Sequence, residues 1–388
     1  MMNDLDPASA ALADAAASWR GAYVHVPFCA RHCPYCDFAV VVGVEDRADA
    51  YVAALIAEIG MEEPWGPLDA IFVGGGTPSR LPADDLGRIV AALRERFGLA
   101  PGAEIGLEAN PEDWTEGHAV AAAAAGFNRV SLGIQSFDPD VLRSLGRLHD
   151  PQTAAEAVAA AHAAGFASVN IDLIFGTPGE TLDSWRRSVH WAAGTGAQHI
   201  SAYALTVEKG TPLSRAVAAG AAAPDPDDQA DKYEAWERAM TAAGFVRYEI
   251  SNASLPGHAC RYNLLAWAQG EYAAFGTGAH GHRRGVRRRN IRRFDAYLDR
   301  VNRGERPESG RERLDPPARE QERLILGLRR TAGVRAGAGG RALLASKWGE
   351  RLLEAGVIAV AGDRIRVTTP LLADEAARAV LAVSPGEC

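Results

Sequence analysis

Six short β-branched or apolar runs recur along this chain, with stretches of helical character between them, and that rhythm constrains the fold more than any other feature. The runs are AYVHV at 22–26, LDAIFV at 68–73, EIGLEA at 104–109, RVSLGI at 129–134, SVNIDLIF at 168–175 and QHISAYAL at 198–205. Asp84–Phe97, Glu116–Ala125, Thr153–Ala164 and Leu182–Ala193 carry apolar residues at helical spacing, mostly ended by glycine. Strands alternating with helices predict βα units around a parallel sheet. Six such units predict a barrel, and an incomplete one.

The texture changes after Leu213. A Pro/Asp stretch at 224–228 leads into a predicted helix in which Tyr233, Trp236, Met240 and Ala243 share one face. From about Leu314 the pattern is helix, helix, then VIAVAGDRIRVTTP, where Gly362-Asp363 separates two alternating runs as a hairpin does. The expected organisation is an N-terminal segment at 1–20, the barrel at 21–213, an extension at 214–310, and a small α+β, winged-helix-like domain at 311–388.

Composition narrows the function. A chain of 388 residues, 47% hydrophobic and 23% charged, buries a sizeable core. Its net charge of -8 argues against a protein whose main work is gripping phosphate backbones. The first twenty residues are acidic and lack the basic start and apolar core of a secretion signal, and nowhere do about 18 apolar residues run together. The cytoplasm is the expected compartment, with no stable membrane insertion. Three of the five cysteines fall within eight residues, which suits a metal site better than a disulfide framework. Cys260 and Cys388 read as unpaired thiols.

The chemistry begins at YVHVPFCARHCPYCDF, where Cys29, Cys33 and Cys36 follow the first predicted strand in CxxxCxxC spacing. That places the thiols in a loop at the carboxyl end of the barrel, where barrel active sites lie. Three thiolates can hold three irons of a 4Fe-4S cubane and leave the fourth iron open to a chelating ligand. A structural zinc site is the alternative, and it needs His25, His32 or Cys260 as fourth ligand. Downstream, GGGTP at Gly74–Pro78 follows the second strand, either as a close backbone approach to a ligand or as a tight turn. Glu108, Gln135 and Asp172 each stand at or near the end of a later strand, and side chains so placed converge on a common ligand.

Together YVHVPFCARHCPYCDF, FVGGGTPS, LEANPED, RVSLGIQSFDPDVLRSLGRLH, NIDLIFGTPGET and HISAYALTVEKGTPL resemble the radical S-adenosylmethionine (SAM) superfamily. More narrowly, they resemble the group that holds oxygen-independent coproporphyrinogen III oxidase and the HemW-type haem chaperone. The resemblance runs from Tyr23 to about Tyr297. It implies a partial (β/α)6 TIM-like barrel, a 4Fe-4S cluster on Cys29, Cys33 and Cys36, and bound SAM. By motif position Tyr23 lies beside SAM, Gly75, Gly76 and Thr77 meet its methionine end, and Glu108, Gln135, Arg147 and Asp172 supply its other polar contacts. Outside the motif, Arg147 reads as a solvated helix charge.

Within the group the sequence leans toward the chaperone. The oxidase motif has a further cysteine two residues after the third, where this chain has Phe38. YEISN at 248–252, PGHACRYN at 256–263 and GTGAHG at 276–281 resemble chaperone landmarks. The resemblance therefore implies a radical SAM protein that binds haem for delivery to an acceptor protein, with a reductant protein for the cluster as a further partner. The alternatives are a coproporphyrinogen III oxidase and, from another class, a zinc-stabilised nucleic-acid-binding protein. The sequence departs from the chaperone pattern at the histidine implied to bind haem, which is Tyr262 here, with Ala266 in place of a tyrosine; His258, His280 and His282 are other candidate ligands. HRRGVRRRNIRR at 282–293 has seven arginines in twelve residues, a composition suited to anions such as haem propionates.

The metal readings separate on one measurement. Anaerobic reconstitution is expected to load about four irons and four sulfides per chain, and Cys33→Ser to lose most of them; stoichiometric zinc without acid-labile sulfide defeats the cluster assignment.

Overall fold

In the computed structural model, which describes residues 7–383, one twelve-stranded sheet organises most of the chain. Its centre is six parallel strands in sequence order: β1 (Arg20–Val26), β2 (Leu68–Gly75), β3 (Leu99–Ala109), β4 (Arg129–Gln135), β5 (Ser168–Phe175) and β6 (His199–Ala204). After a leading helix α1 (Pro7–Ala15), the crossovers carry α2 (Ala48–Met61), α3 (Ala83–Phe97), α4 (Glu116–Ala124), α5 (Pro139–Ser144), α6 (Pro151–Ala163) and α7 (Leu182–Gly194). The barrel does not close on itself, because further strands take both free edges.

Local chemistry fixes where these helices start. Asp138-Pro139 and Asp150-Pro151 each put an acceptor side chain at the cap and proline at the first helical position. The aspartate takes a backbone N–H of the first turn, and proline lacks the N–H that would otherwise be orphaned there. Two further helices, α8 (Pro212–Ala218) and α9 (Pro226–Ala242), open the same way on Thr211 and Asp225. On α9, Tyr233, Trp236 and Met240 are buried as expected, but Ala243 is exposed, because the helix ends one residue earlier and Ala243 serves as its cap. The buried lysine of the same helix, Lys232, donates to the Glu180 carbonyl at 2.8 Å, while its own carbonyl accepts from Trp185 Nε1 at 2.7 Å.

The next stretch extends the same sheet. β7 (Val246–Arg247) and β8 (Asn252–Ser254) run antiparallel beyond β6. Helix α10 (Arg261–Trp267) then crosses to the other edge, where β9 (Glu271–Phe275) lies parallel to β1. β10 (His280–Arg283), β11 (Val286–Asn290) and, after α11 (Phe294–Asn302), β12 (Glu308–Arg313) continue antiparallel from there. Phe275, Phe294, Tyr297, Leu298 and Val301 belong to the same core as the six central strands.

The last part has a core of its own, with Leu324, Leu328, Val334, Leu343, Ile358, Ile365 and Val380. It comprises α12 (Pro316–Leu328), β13 (Val334–Arg335), α13 (Gly337–Ala345), α14 (Lys347–Glu354), the hairpin β14 (Ile358–Ala361) and β15 (Arg364–Val367), and α15 (Ala373–Ala382). The hairpin turns at Gly362, whose φ of 60° is the left-handed conformation glycine takes without a side-chain clash. Helix α1 ties this unit down: Asp14 pairs with Arg364 at 2.7 Å and the Ala13 carbonyl accepts from Arg330. Among the described residues no helix is long and apolar enough to cross a membrane. Cys388 lies outside the described residues.

Trp236 is fully buried between the barrel and α9. Trp236→Ala is expected to lower stability by about 3–5 kcal/mol in chemical denaturation, whereas Ala243→Ser, at the exposed cap, shifts it by less than about 0.5 kcal/mol.

Candidate functional site

The carboxyl ends of β1 to β6 surround an open cleft of about 1220 Å³. Every residue that the sequence nominated for the cluster and for SAM lines it: Tyr23, Cys29, Cys33, Cys36, Gly75, Gly76, Thr77, Glu108, Gln135, Arg147 and Asp172. The strands run parallel in sequence order, so the loops that follow them open on one side, and residues far apart in the chain become neighbours.

The cysteine loop is pinned at its base and along its length. The amide of Cys29 donates to the Val41 carbonyl at 3.0 Å and that of Val41 to the Pro27 carbonyl at 2.8 Å, closing the loop at its neck. His25 Nε2 donates to the Ala39 carbonyl at 2.8 Å while its Nδ1 accepts from the Tyr23 hydroxyl at 3.1 Å. Burial depresses the pKa of His25 to about 4, so the neutral ring keeps both roles. Arg292 reaches from the other edge of the sheet to the Asp37 carbonyl.

The three thiols are part-buried and unpaired, and they face the cleft. Burial pushes Cys29 up to about 11 and raises Cys36 as well, so the loop on its own favours thiols over thiolates. Thiolate ligands there require added positive charge, which bound iron supplies. Among the described residues no three His, Cys, Asp or Glu side chains converge as ligands of a single ion. The donor set of three thiols from one loop, spread around its rim, suits a cluster with several metal atoms. Polar groups beside them include Thr77 Oγ1, 3.5 Å from Cys29 Sγ, and Arg147 Nη1, 3.8 Å from Cys33 Sγ.

GGGTP packs against that loop, and this gives its glycines a steric reason. A Cβ on Gly75, whose φ is 115°, would stand 2.4 Å from the His25 ring, and one on Gly76 would stand 2.7 Å from the Pro27 carbonyl carbon. The amides of Gly76 and Thr77 donate to the Val26 and Phe28 carbonyls, each at 2.8 Å. Glu108 accepts from the Gly75 amide at 2.9 Å, and burial, with the Asp172 charge adding to it, raises its pKa to about 7. Gln135 has a φ of 69°, rare for a residue with a side chain, where β4 ends.

Arg147 is no solvated helix charge. It follows α5, donates to the Gly133 carbonyl at 2.8 Å and bonds the side chain of Asn110. Among the described residues its Nε, which is buried, has no partner. Asp172 is less free than its strand-end position suggests. Ser131 Oγ donates to its Oδ2 at 2.5 Å and Asn170 Nδ2 to its Oδ1 at 2.9 Å, so both oxygens are engaged within the protein.

That network continues into groups the sequence reading did not single out. His199 Nδ1 bonds Asn170 Oδ1 and its Nε2 accepts from the Tyr248 hydroxyl at 2.8 Å. Burial, reinforced by Arg129, holds His199 well below its ordinary pKa, so it is neutral. Arg129 is itself buried, donating to Ser168 Oγ and the His258 carbonyl at 3.0 Å each and pairing with Glu104 at 3.5 Å. The signal was present as polar residues two apart on a strand: Arg129 with Ser131, Asn170 with Asp172, and His199 with Ser201. Period-two placement turns them all to the barrel interior.

The chaperone-like segments form the floor of the cleft. Glu104 accepts from the Arg261 amide at 2.9 Å and from Cys260 Sγ at 3.5 Å, seating 256–263 across the barrel. Tyr262 stacks on Phe72 at 5.5 Å and on Tyr23 at 6.1 Å between ring centroids. Burial, then Tyr272 and Tyr23, push its pKa well above the ordinary tyrosine value, so it stands as a neutral phenol. Of the three histidines, only His280 lines the cleft; His258 meets Arg129 through its carbonyl, and His282 is buried against the Gly270 carbonyl.

Comparisons with known proteins agree with this architecture. The sequence model of the Radical SAM superfamily matches residues 23–192. Heme chaperone HemW of Mycobacterium tuberculosis is 42% identical over 378 residues, covering 93% of this chain and 94% of the relative. Heme chaperone HemW of Synechocystis sp. is 37% identical over 325 residues, covering 81% of this chain and 78% of the relative. Among solved structures, coproporphyrinogen III oxidase (HemN) from Escherichia coli, described as a radical SAM enzyme, superposes with a TM-score of 0.81 over 97% of this chain and 93% of that one, at 22% identity. At that identity the likeness speaks for the fold, and the fold is the partial barrel with its small C-terminal unit.

Asp172 is the place to separate ligand contact from internal support. Both groups that meet its carboxylate are donors, so Asp172→Asn turns an amide N–H₂ onto one of them and is expected to cost about 1–3 kcal/mol of stability. Gln135→Ala, which breaks no such network, is expected to weaken SAM binding in calorimetry with iron content and melting temperature kept. Unchanged SAM affinity in both variants removes these strand ends from the binding site.

Proposed function

This chain belongs to the HemW family of radical SAM proteins, and from that membership we propose that it is a haem chaperone: it binds haem and passes it to an acceptor protein in the cytoplasm. The observation that carries this reading is the 42% identity with a heme chaperone across 93% of the chain, which includes the floor and outer wall of the cleft as well as the barrel. The proposed cluster ligands are Cys29, Cys33 and Cys36, and the proposed SAM contacts are Tyr23, Gly75, Gly76, Thr77, Glu108, Gln135, Arg147 and Asp172.

A bound 4Fe-4S cluster supplies a one-electron centre with an open iron for the amino and carboxylate groups of SAM. The chain's own residues set the surroundings. His25 and Arg292 hold two carbonyls of the cysteine loop, at Ala39 and Asp37, and so fix its path. Gly75 and Gly76 let the second strand end close against that loop. Arg147 brings a guanidinium beside Cys33 and offsets thiolate charge there. A reductant protein reaches the cluster from the rim, where Phe38 and Leu148 are 59% and 54% exposed.

The oxidase alternative has fold likeness behind it, at 22% identity, and lacks the further cysteine at Phe38. The zinc and nucleic-acid alternative has less, since the thiols are not drawn together for a single ion and several residues of the arginine run are engaged in ion pairs.

The deciding experiment uses the reconstituted full-length protein. It is expected to bind about one haem per chain, seen in the Soret band, and to leave coproporphyrinogen III unconverted in the presence of SAM and a reductant. Robust decarboxylation without haem binding overturns the reading. Because Tyr262 is stacked and neutral, Tyr262→Phe is expected to leave the haem spectrum unchanged, and a shift in that spectrum instead assigns it as a ligand.

A further inference from the structure

The arginine run does not act as one block. It folds into β10, β11 and the turn before α11, and the strand pleat sends its members to different surroundings. Arg283 and Arg288 face Glu62, at 3.3 and 3.5 Å, with Glu308 3.6 Å from Arg288. Arg287 pairs with Glu312 at 2.8 Å and with Glu322. Arg284 occupies the exposed hairpin turn, and Arg293 caps α11. Arg289 and Arg292 are left. Both line the cleft, both are exposed to it, and among the described residues neither has a carboxylate within ion-pair distance. Asp37 lines the same end, but Arg292 meets its backbone carbonyl rather than its side chain.

Two further features belong to this wall. His280, opposite Arg289 in the β10–β11 pairing, also lines the cleft, and its pKa is lowered by burial and then by Arg289, Arg287 and Arg292. Its neighbours thus make that end of the cleft electropositive. Arg289 lies over Gly310 of β12, its cross-strand partner: a Cβ there would be 2.5 Å from Arg289 Nε. Glycine at 310 leaves room for the guanidinium to rest on the sheet.

We propose that Arg289 and Arg292, with His280 beside them, form a dicarboxylate-binding wall that holds the two propionates of the porphyrin. The proposal rests on the haem reading and assigns a part of the cleft to it. Guanidinium forks without an internal carboxylate partner match carboxylates in shape and charge, and they retain charge at any physiological pH. The apolar macrocycle then lies inward, toward Tyr272 and Tyr262, which line the same cleft. Arg292 also touches the Asp37 carbonyl just after Cys36, so one side chain joins this wall to the cysteine loop.

The test compares haem with haem dimethyl ester, which keeps the ring and iron but has no free carboxylates, titrated by Soret absorbance against the reconstituted full-length protein. Wild type is expected to bind haem at least about tenfold tighter than the ester, and Arg289→Gln to lose most of that preference with ester affinity unchanged. Arg287→Gln, which removes an arginine already paired, is the control expected to alter neither. Gly310→Ala displaces Arg289 without deleting a charge and is expected to reduce the preference for haem. Equal wild-type affinity for haem and ester, or equal weakening of both by Arg289→Gln, overturns the wall while the haem reading stands. Failure of wild type to bind either form overturns both.

Discussion

Everything in the cleft depends on how closely the end of β2 approaches the end of β1. The cysteine loop leaves β1 after Val26, and the Gly75-Gly76-Thr77 turn closes against its base through two amide bonds and two contacts that exclude any Cβ. That clasp sets where the thiols stand relative to the later strand ends. Glu108 reaches back from β3 to the Gly75 amide and extends the clasp to the third strand. A side chain at Gly75 or Gly76 would meet an imidazole or backbone atoms, and backbone at the root of a parallel sheet has little freedom to retreat.

Below the clasp, the barrel interior is polar where a barrel of this kind is usually filled with branched apolar side chains. Arg129, Asp172, His199 and Asn170 are all buried or turned inward, and burial alone would penalise the charged ones heavily. The arrangement holds because donors and acceptors are matched: the arginine meets a carboxylate, a hydroxyl and a carbonyl, the aspartate meets two donors, and the histidine stays neutral. The segment at 256–263 completes the match by closing the floor, and in doing so carries Tyr262 into an aromatic stack. A phenol so placed contributes ring surface to the cleft, and its neutral state reduces its value as an iron ligand relative to the exposed His280.

The outer wall shows how a run of like charges is divided by strand geometry. Alternate residues of β11 point to opposite faces, so Arg288 meets Glu62 and Glu308 behind the sheet while Arg287 and Arg289 lie on the other side. Glu62 after α2, with glutamates of β12 and α12, neutralises Arg283, Arg287 and Arg288. Of the arginines left without a carboxylate, Arg289 and Arg292 are the two that line the cleft.

The sequence by itself determined the rhythm of strands and helices, the helix starts, the cysteine spacing and the glycine turn. These are local properties: Asp-Pro caps, period-two strands and a CxxxCxxC loop act over a few residues. The residues nominated for the cluster and SAM line the cleft because most of them stand in or just after the carboxyl half of a strand, and parallel order carries strand ends together. Tertiary structure alone decided what each of those residues touches. Asp172 is tied to Ser131 and Asn170, Tyr262 is stacked and neutral, Arg147 is drawn in beside Cys33, and only Arg289 and Arg292 of seven arginines face the cleft without a carboxylate partner. Apart from Asn170, two residues from Asp172, those partners stand 41 to 190 positions away along the chain, and desolvation and pairing energies depend on such distant neighbours, which no local spacing encodes.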